Sequence, residues 1–369
     1  MSFCSNRSRS SPVCVHRAVR RLAIVLVTPL VVALLAPPGA LGHHSIFGRF
    51  DGGSIVELDG EVTGVIWRNP HVSFSMTSDA GETWEIETTS LSNLRKWSIS
   101  PDFIEIGDRI RIAGNPSVQG INEIYARHVL RPNDEEVVLA AGLEPRWSDR
   151  AVEVSLPTEG DPSRPDLGIF RVWSSSEPML FPETVDPNFD MTGYPLTESA
   201  RAVVAAFDRV ADSPIANCAP KGMPAIMEQP YPMEIVERDG NIVLLMEEYD
   251  TVRTIQMDAD ADADADADGG AGAGGQAPNP LGYSRGRRDG DELDVTTTGV
   301  NWGHFDTVGI PLTDTAEMVE RFTLSADGSR LDYTLSVTDP NTFTEPVALE
   351  KYWLWFPEVT VSPYDCVVR

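Results

Sequence analysis

The sequence predicts a mainly β protein of two domains behind a cleavable leader. Three observations carry this: short runs that alternate apolar and polar residues, Asp-Gly turns set between such runs, and a basic, apolar, small-residue order at the start of the chain.

The leader comes first. Arg7, Arg9, Arg17, Arg20 and Arg21 precede the apolar run Leu22 to Leu35, and Ala40 and Gly42 supply small residues for cleavage. Residues 1–42 are therefore expected to be a signal peptide, which places the mature protein in the periplasm or outside the cell. The flanks of Arg20-Arg21 match a twin-arginine signal poorly, and no cysteine follows the apolar run to carry a lipid. No later stretch is apolar enough to span a bilayer. Cleavage after Gly42 leaves 24 basic against 56 acidic residues, a net charge of −32. Such a surface argues against nucleic acid as a partner.

The first domain, residues 43–131, reads as a small barrel. Val56, Leu58, Val62 and Ile66 share one parity, and Gly60 and Gly64 on the same side permit a sharp bend. Residues 72–76 and 83–87 alternate again, residues 92–97 suit a short helix behind a polar cap, and residues 108–113 and 123–130 are two further strands. Three strands, a helix and two strands is the order of an OB-fold.

Residues 132–167 are polar and proline-spaced, which predicts a linker. The second domain, residues 168–369, opens with helical spacing over 197–210 that puts Ala202, Val203, Ala206, Phe207 and Val210 on one face. Runs at 234–237 and 242–246 flank Asp239-Gly240, and runs at 319–324 and 331–337 flank Asp327-Gly328. With further runs at 251–257, 293–298 and 347–356, these predict an antiparallel meander closed as a barrel or stacked as a sandwich. A lipocalin-like barrel with an internal cavity is one version. An Asp-Ala and glycine-rich insert at 258–275 interrupts it and is expected to be a disordered hairpin tip. A calcium role is the alternative, but the insert lacks the ligand spacing of calcium loops.

Several strings then point to a family. They are His43-His44-Ser45, Trp67-Arg68-Asn69-Pro70-His71, Asn217-Cys218-Ala219-Pro220-Lys221-Gly222-Met223-Pro224, Gln229-Pro230-Tyr231-Pro232, Thr298-Gly299-Val300-Asn301-Trp302 and Pro363-Tyr364-Asp365-Cys366. The chain resembles a family of exported bacterial proteins of unknown function whose mature chains begin His-His-Ser. The likeness covers most of residues 43–131 and 178–369, and the Asp-Ala insert departs from it. It implies no activity.

The chemistry must come from the residues. There is no G-x-S-x-G, H-E-x-x-H, C-x-x-C or glycine-rich phosphate loop in a strand–helix setting. Two cysteines, Cys218 and Cys366, remain after the leader, and an oxidising compartment favours their pairing over two buried thiols. His43 would become the new N-terminus. Its α-amine and ring can chelate copper as a histidine brace, with His71 or His304 as third ligand and Asp306 behind His304. The alternatives are an exposed histidine pair, a turn at His71 and simple packing of His304 on Trp302. His128 shares parity with Ile124, Ala126 and Leu130 and reads as a satisfied barrel residue. Glu247, Glu248, Tyr249 and Arg253 fall on neighbouring strands of one hairpin, where an interior Arg–Glu pair would orient a polar ligand or form a plain salt bridge. Trp353 and Trp355 line one face, as pocket or as core. The expected function is thus an exported binding or accessory protein, not an enzyme, serving a small ligand or an envelope protein. The alternative is a copper carrier or redox enzyme.

Overall fold

The computed structural model describes residues 49–139, 143–152, 167–175, 193–209, 211–215, 218–228, 230–257 and 277–366. The leader, His43, His44 and the insert at 258–275 lie outside these residues.

The first barrel is built from β1 (Val56–Ile66), β2 (Ser73–Ser78), β3 (Thr83–Glu87), α1 (Leu91–Lys96), β4 (Arg109–Pro116) and β5 (Glu123–Leu130). The sheet runs β3-β2-β1-β4-β5 and closes through a parallel β3–β5 pair, the OB arrangement. The Ser90 hydroxyl accepts from the Asn93 amide and starts α1. β1 bends as its glycines suggest. A Cβ at Gly60 would lie 2.4 Å from both the Met76 Cε and the Thr77 carbonyl, so β2 crosses too closely for any other residue. A bulge between Val62 and Gly64 then adds one residue. That extra residue inverts the alternation, so half-buried Val65 packs on the core and Ile66 is exposed. The sequence parity had placed Ile66 inside.

The stretch 132–167 contributes two short strands to this sheet, β6 (Glu136–Val138) against β5 and β7 (Ala151–Val152) against β6. His128 explains the first. Its Nδ1 lies 2.9 Å from Glu136, whose carboxylate also accepts the amides of Arg146, Trp147 and Ser148. Burial would raise the Glu136 pKa, but these donors hold it below the usual value.

The second barrel comprises β8 (Val172–Ser174), β9 (Met233–Arg238), β10 (Asn241–Met246), β11 (Thr251–Met257), β12 (Tyr283–Asp289), β13 (Glu292–Thr298), β14 (Glu317–Leu324), β15 (Arg330–Thr338) and β16 (Val347–Trp355). It closes in the order β10-β11-β12-β13-β14-β15-β16-β8-β9. The expected meander holds except at one seam: β11 and β12 are parallel. The segment between them, which contains the insert, is therefore a crossover and not a hairpin tip. β12 escapes sequence detection because its inward residues are Ser284 and Gly286, not large apolar ones. Gly286 is required, since a Cβ there would meet Ile255 Cγ2 at 2.6 Å.

The helix α2 (Glu198–Ala206) begins at the Thr197 cap. Its core-facing side is Ala200, Val204 and half-buried Phe207, whereas Val203 is exposed. Of the predicted face, Ala202, Val203 and Ala206 are exposed, Phe207 is half-buried, and Val210 lies outside the described residues. No helix of the described residues is long and apolar enough to cross a membrane.

Candidate functional site

Alternation sends one polar side chain from each of six successive strands into the second barrel: Arg253, Ser284, Thr297, Glu320, Tyr333 and Lys351. Arg253 Nη1 donates to Glu320 Oε1 at 2.8 Å, and Nη2 donates to Glu320 Oε2 and, at 2.9 Å, to Thr297 and Ser284. The Tyr333 hydroxyl and Thr297 complete the Glu320 shell at 2.8 and 3.0 Å. Burial opposes the Arg253 charge, but Glu320 outweighs it and raises the guanidinium pKa. Burial and Glu320 both raise Tyr333. Lys351 donates to the carbonyls of Met227 and Glu228, and burial depresses its pKa to about 8. Around this layer the interior is filled by Trp173, Phe322 and Trp353, with Phe322 stacked on Trp353 at 6.3 Å. Trp353 and Trp355 are core residues.

Arg253 was expected to pair with Glu247 or Glu248. Its partner is Glu320, which barrel closure brings in from three strands away. The parallel β11–β12 ladder holds only Ile255↔Ser284, Gln256↔Arg285 and Met257↔Gly286. Beside it the wall carries a concavity of about 240 Å³, lined by Val252, Arg253, Gln256, Leu281, Tyr283 and Ser284 among others.

Glu247, Glu248 and Tyr249 do not line that concavity. They form the turn between β10 and β11, not adjacent strands, and they meet the first barrel and the C-terminal segment. Glu247 accepts from the Ser92 hydroxyl of α1 and from the Ser362 amide at 3.0 Å. Its pKa is raised by burial. Glu248 pairs with Lys221 at 2.9 Å. Tyr249 packs on Tyr364, Tyr364 on Tyr231, and the Tyr231 hydroxyl donates to the Pro70 carbonyl at 3.3 Å. Burial raises all three tyrosines. Lys96 of α1 donates to the Ser175 carbonyl, and burial lowers its pKa to about 8. Cys218 and Cys366 form a disulfide with Cα atoms 6.1 Å apart. Four of the six strings that carried the resemblance therefore converge where the two barrels meet, through Pro70, Lys221, Tyr231 and Tyr364.

The histidines separate. His71 Nδ1 lies 2.5 Å from Glu87, and its ring meets Tyr125 edge-on at 6.3 Å. His304 packs on Trp302 at 4.9 Å and bridges to Pro311 in the second barrel. Burial lowers its pKa. Asp306, expected to orient His304, uses Oδ1 to accept the amides of Val308, Gly309 and Ile310. Among the described residues, no three His, Cys, Asp or Glu side chains group as a metal site.

No curated protein matches the chain. Residues 31–124, which run through β4 into the start of β5, match a family of unknown function (DUF6152).

Proposed function

We propose that this is an exported binding protein that takes a small polar molecule in the concavity between β11 and β12. The observation that carries the reading is that opening itself. Arg253 and Ser284 lie buried beneath it, and its rim is mixed, with Val252, Gln256, Leu281 and Tyr283. At about 240 Å³ it lies below the range of drug-sized pockets, so the ligand is small. Arg253 is held by Glu320 and so supplies a fixed dipole rather than a proton, which favours binding over acid–base catalysis. The acidic chain, at −27 overall, disfavours nucleic acid.

The test is a thermal-shift screen of small polar compounds on the mature protein, repeated on Val252→Trp. Val252 is exposed at the rim, so tryptophan fills the opening from outside the core. The expected result is a shift in the parent protein that Val252→Trp abolishes. A shift of the same size in both proteins defeats the reading.

A second reading is a copper carrier or redox protein with an N-terminal histidine brace at His43. The Glu87 carboxylate, 2.5 Å from His71 Nδ1, favours it, since metal-binding histidines commonly have such a group beside their other nitrogen.

A further inference from the structure

We infer that the molecule held between β11 and β12 carries an oxyanion, a carboxylate or a phosphate, and that Arg285 beside the rim is the residue that recognises it. This rests on the binding reading above and names the chemical class of its ligand.

Strand alternation sets Arg285 in place. Ser284 and Gly286 of β12 are buried in the barrel, so Tyr283, Arg285 and Arg287 face outward. On β11 the outward residues are Val252, Thr254 and Gln256. Arg285 is paired with Gln256 across the ladder and lies two residues from Tyr283, and both of these line the opening. Neighbouring strands are about 4.8 Å apart, and alternate residues along a strand about 6.6 Å. The exposed Arg285 side chain therefore reaches the mouth of the concavity.

The protein does not answer its charge. The cross-strand neighbours of Arg285 are Gln256 on β11 and Thr296 on β13, both uncharged. Arg287 stands opposite Asp294, but that carboxylate pairs with Arg321 at 2.7 Å. Among the described residues, neither Arg285 nor Arg287 has a carboxylate partner. Other exposed arginines do: Arg109 has Asp79, Arg111 has Asp59 and Arg330 has Asp332. A chain with 56 acidic and 29 basic residues supplies such partners readily. Beneath the opening, Arg253 is neutralised by Glu320. Screening at physiological salt confines the field of an exposed charge to about 8 Å, so distant acids do not cancel the pair. The field at the mouth is thus positive and belongs to Arg285 and Arg287. A guanidinium presents parallel N–H donors that match two oxygens of a carboxylate or phosphate. A neutral ligand leaves those donors to water, and an amine is repelled by them.

The experiment uses full-length protein exported with its own leader and two matched sets of probes. One is glycerol, glycerate, glycerol 3-phosphate and aminopropanediol. The other is glucose, glucuronate, glucose 6-phosphate and glucosamine. Affinities are measured by titration calorimetry. In at least one set, an anionic member should bind about tenfold or more tightly than the neutral and cationic members. The tighter of its two anions tells carboxylate from phosphate. Arg285→Gln should remove most of that preference, and Arg285→Lys, which keeps the charge but not the fork, should retain part of it. Arg109→Gln removes the same charge from the first barrel and should change nothing. Val252→Trp should abolish binding of every probe. If anions bind but survive Val252→Trp, the concavity is not their site and the binding reading falls. If Val252→Trp abolishes binding, yet all charge types bind alike or Arg285→Gln keeps the preference, the concavity stands and the anionic assignment is overturned. No binding by any probe overturns that assignment as well.

Discussion

At the scale of single residues, the second barrel encloses an ion pair that is isolated from water and fully bonded. Glu320 and Arg253 are both essentially inaccessible. Glu320→Gln leaves a buried guanidinium without its counter-charge, and such a loss costs about 3–5 kcal/mol. Tyr333→Phe removes one donor to a charged acceptor and should cost about 1.5–3 kcal/mol. Arg321→Ala, which breaks an exposed pair with Asp294, should cost under about 1 kcal/mol. Urea unfolding of the three variants should return that order. The buried lysines set a pH dependence. Lys96 feels Lys351 and Glu247, and Lys351 feels Glu228, Lys221 and Glu248, but burial dominates and lowers both to about 8 from 10.5. Between these values the unfolded chain binds protons that the folded protein has shed, so stability rises with pH. Tyr231, Tyr249 and Tyr364 are raised above 10.0, so the folded protein keeps protons that the unfolded chain loses above that pH, and stability falls. Melting temperature should therefore peak between about pH 9 and 10, and Lys351→Met should flatten the rising limb. Little of this was legible in the sequence. Arg253 and Glu320 are 67 positions apart, and only closure of the barrel pairs them. His128 was legible because its parity placed it among Ile124, Ala126 and Leu130.

At the scale of elements, alternation and turn chemistry sufficed wherever strands were regular. Asp239-Gly240 lies between β9 and β10, and Asp327-Gly328 between β14 and β15, as expected of such turns. Failures occurred where geometry adds or removes a residue's worth of phase. The β1 bulge moved Val65 inward in place of Ile66, and β12 buries Ser284 and Gly286 where a pattern search seeks apolar residues. The parallel β11–β12 pair has a practical result. Met257 sits opposite Gly286, so Tyr283 lies three residues, about 10 Å, back along the ladder. A deletion of residues 258–275 leaves Gln276 alone to link Met257 to Ala277, a reach of about 7.6 Å, and should destabilise the barrel. Removing only the Asp-Ala repeat, Asp258 to Asp268, leaves eight residues to cross back. It should leave the melting temperature nearly unchanged, since closure entropy varies slowly with loop length. Equal losses in the two deletions, by calorimetry, would contradict the crossover.

At the scale of the whole molecule, two β-barrels were readable because each repeats a local rule many times. The contacts that join them were not. Ser92 with Glu247, and Pro70 with Tyr231, are pairings between distant segments that no period announces. The Cys218–Cys366 pairing was expected from the two cysteines that lie beyond the expected leader, and the structure joins them. Reduction, or Cys366→Ser, should cost about 5 kcal/mol through the freedom returned to the unfolded chain, visible as a lower midpoint in urea. The same bond has a mechanical consequence. Eight of the nine strands of the second barrel, β9 to β16, lie between Cys218 and Cys366. Tension applied at the two chain ends passes from Cys366 to Cys218 through sulfur and bypasses those strands. A stretched oxidised molecule would therefore withhold the 148-residue span from extension, a contour length of roughly 500 Å. The barrel would bear load as a knot in the thread, while the first barrel takes the strain.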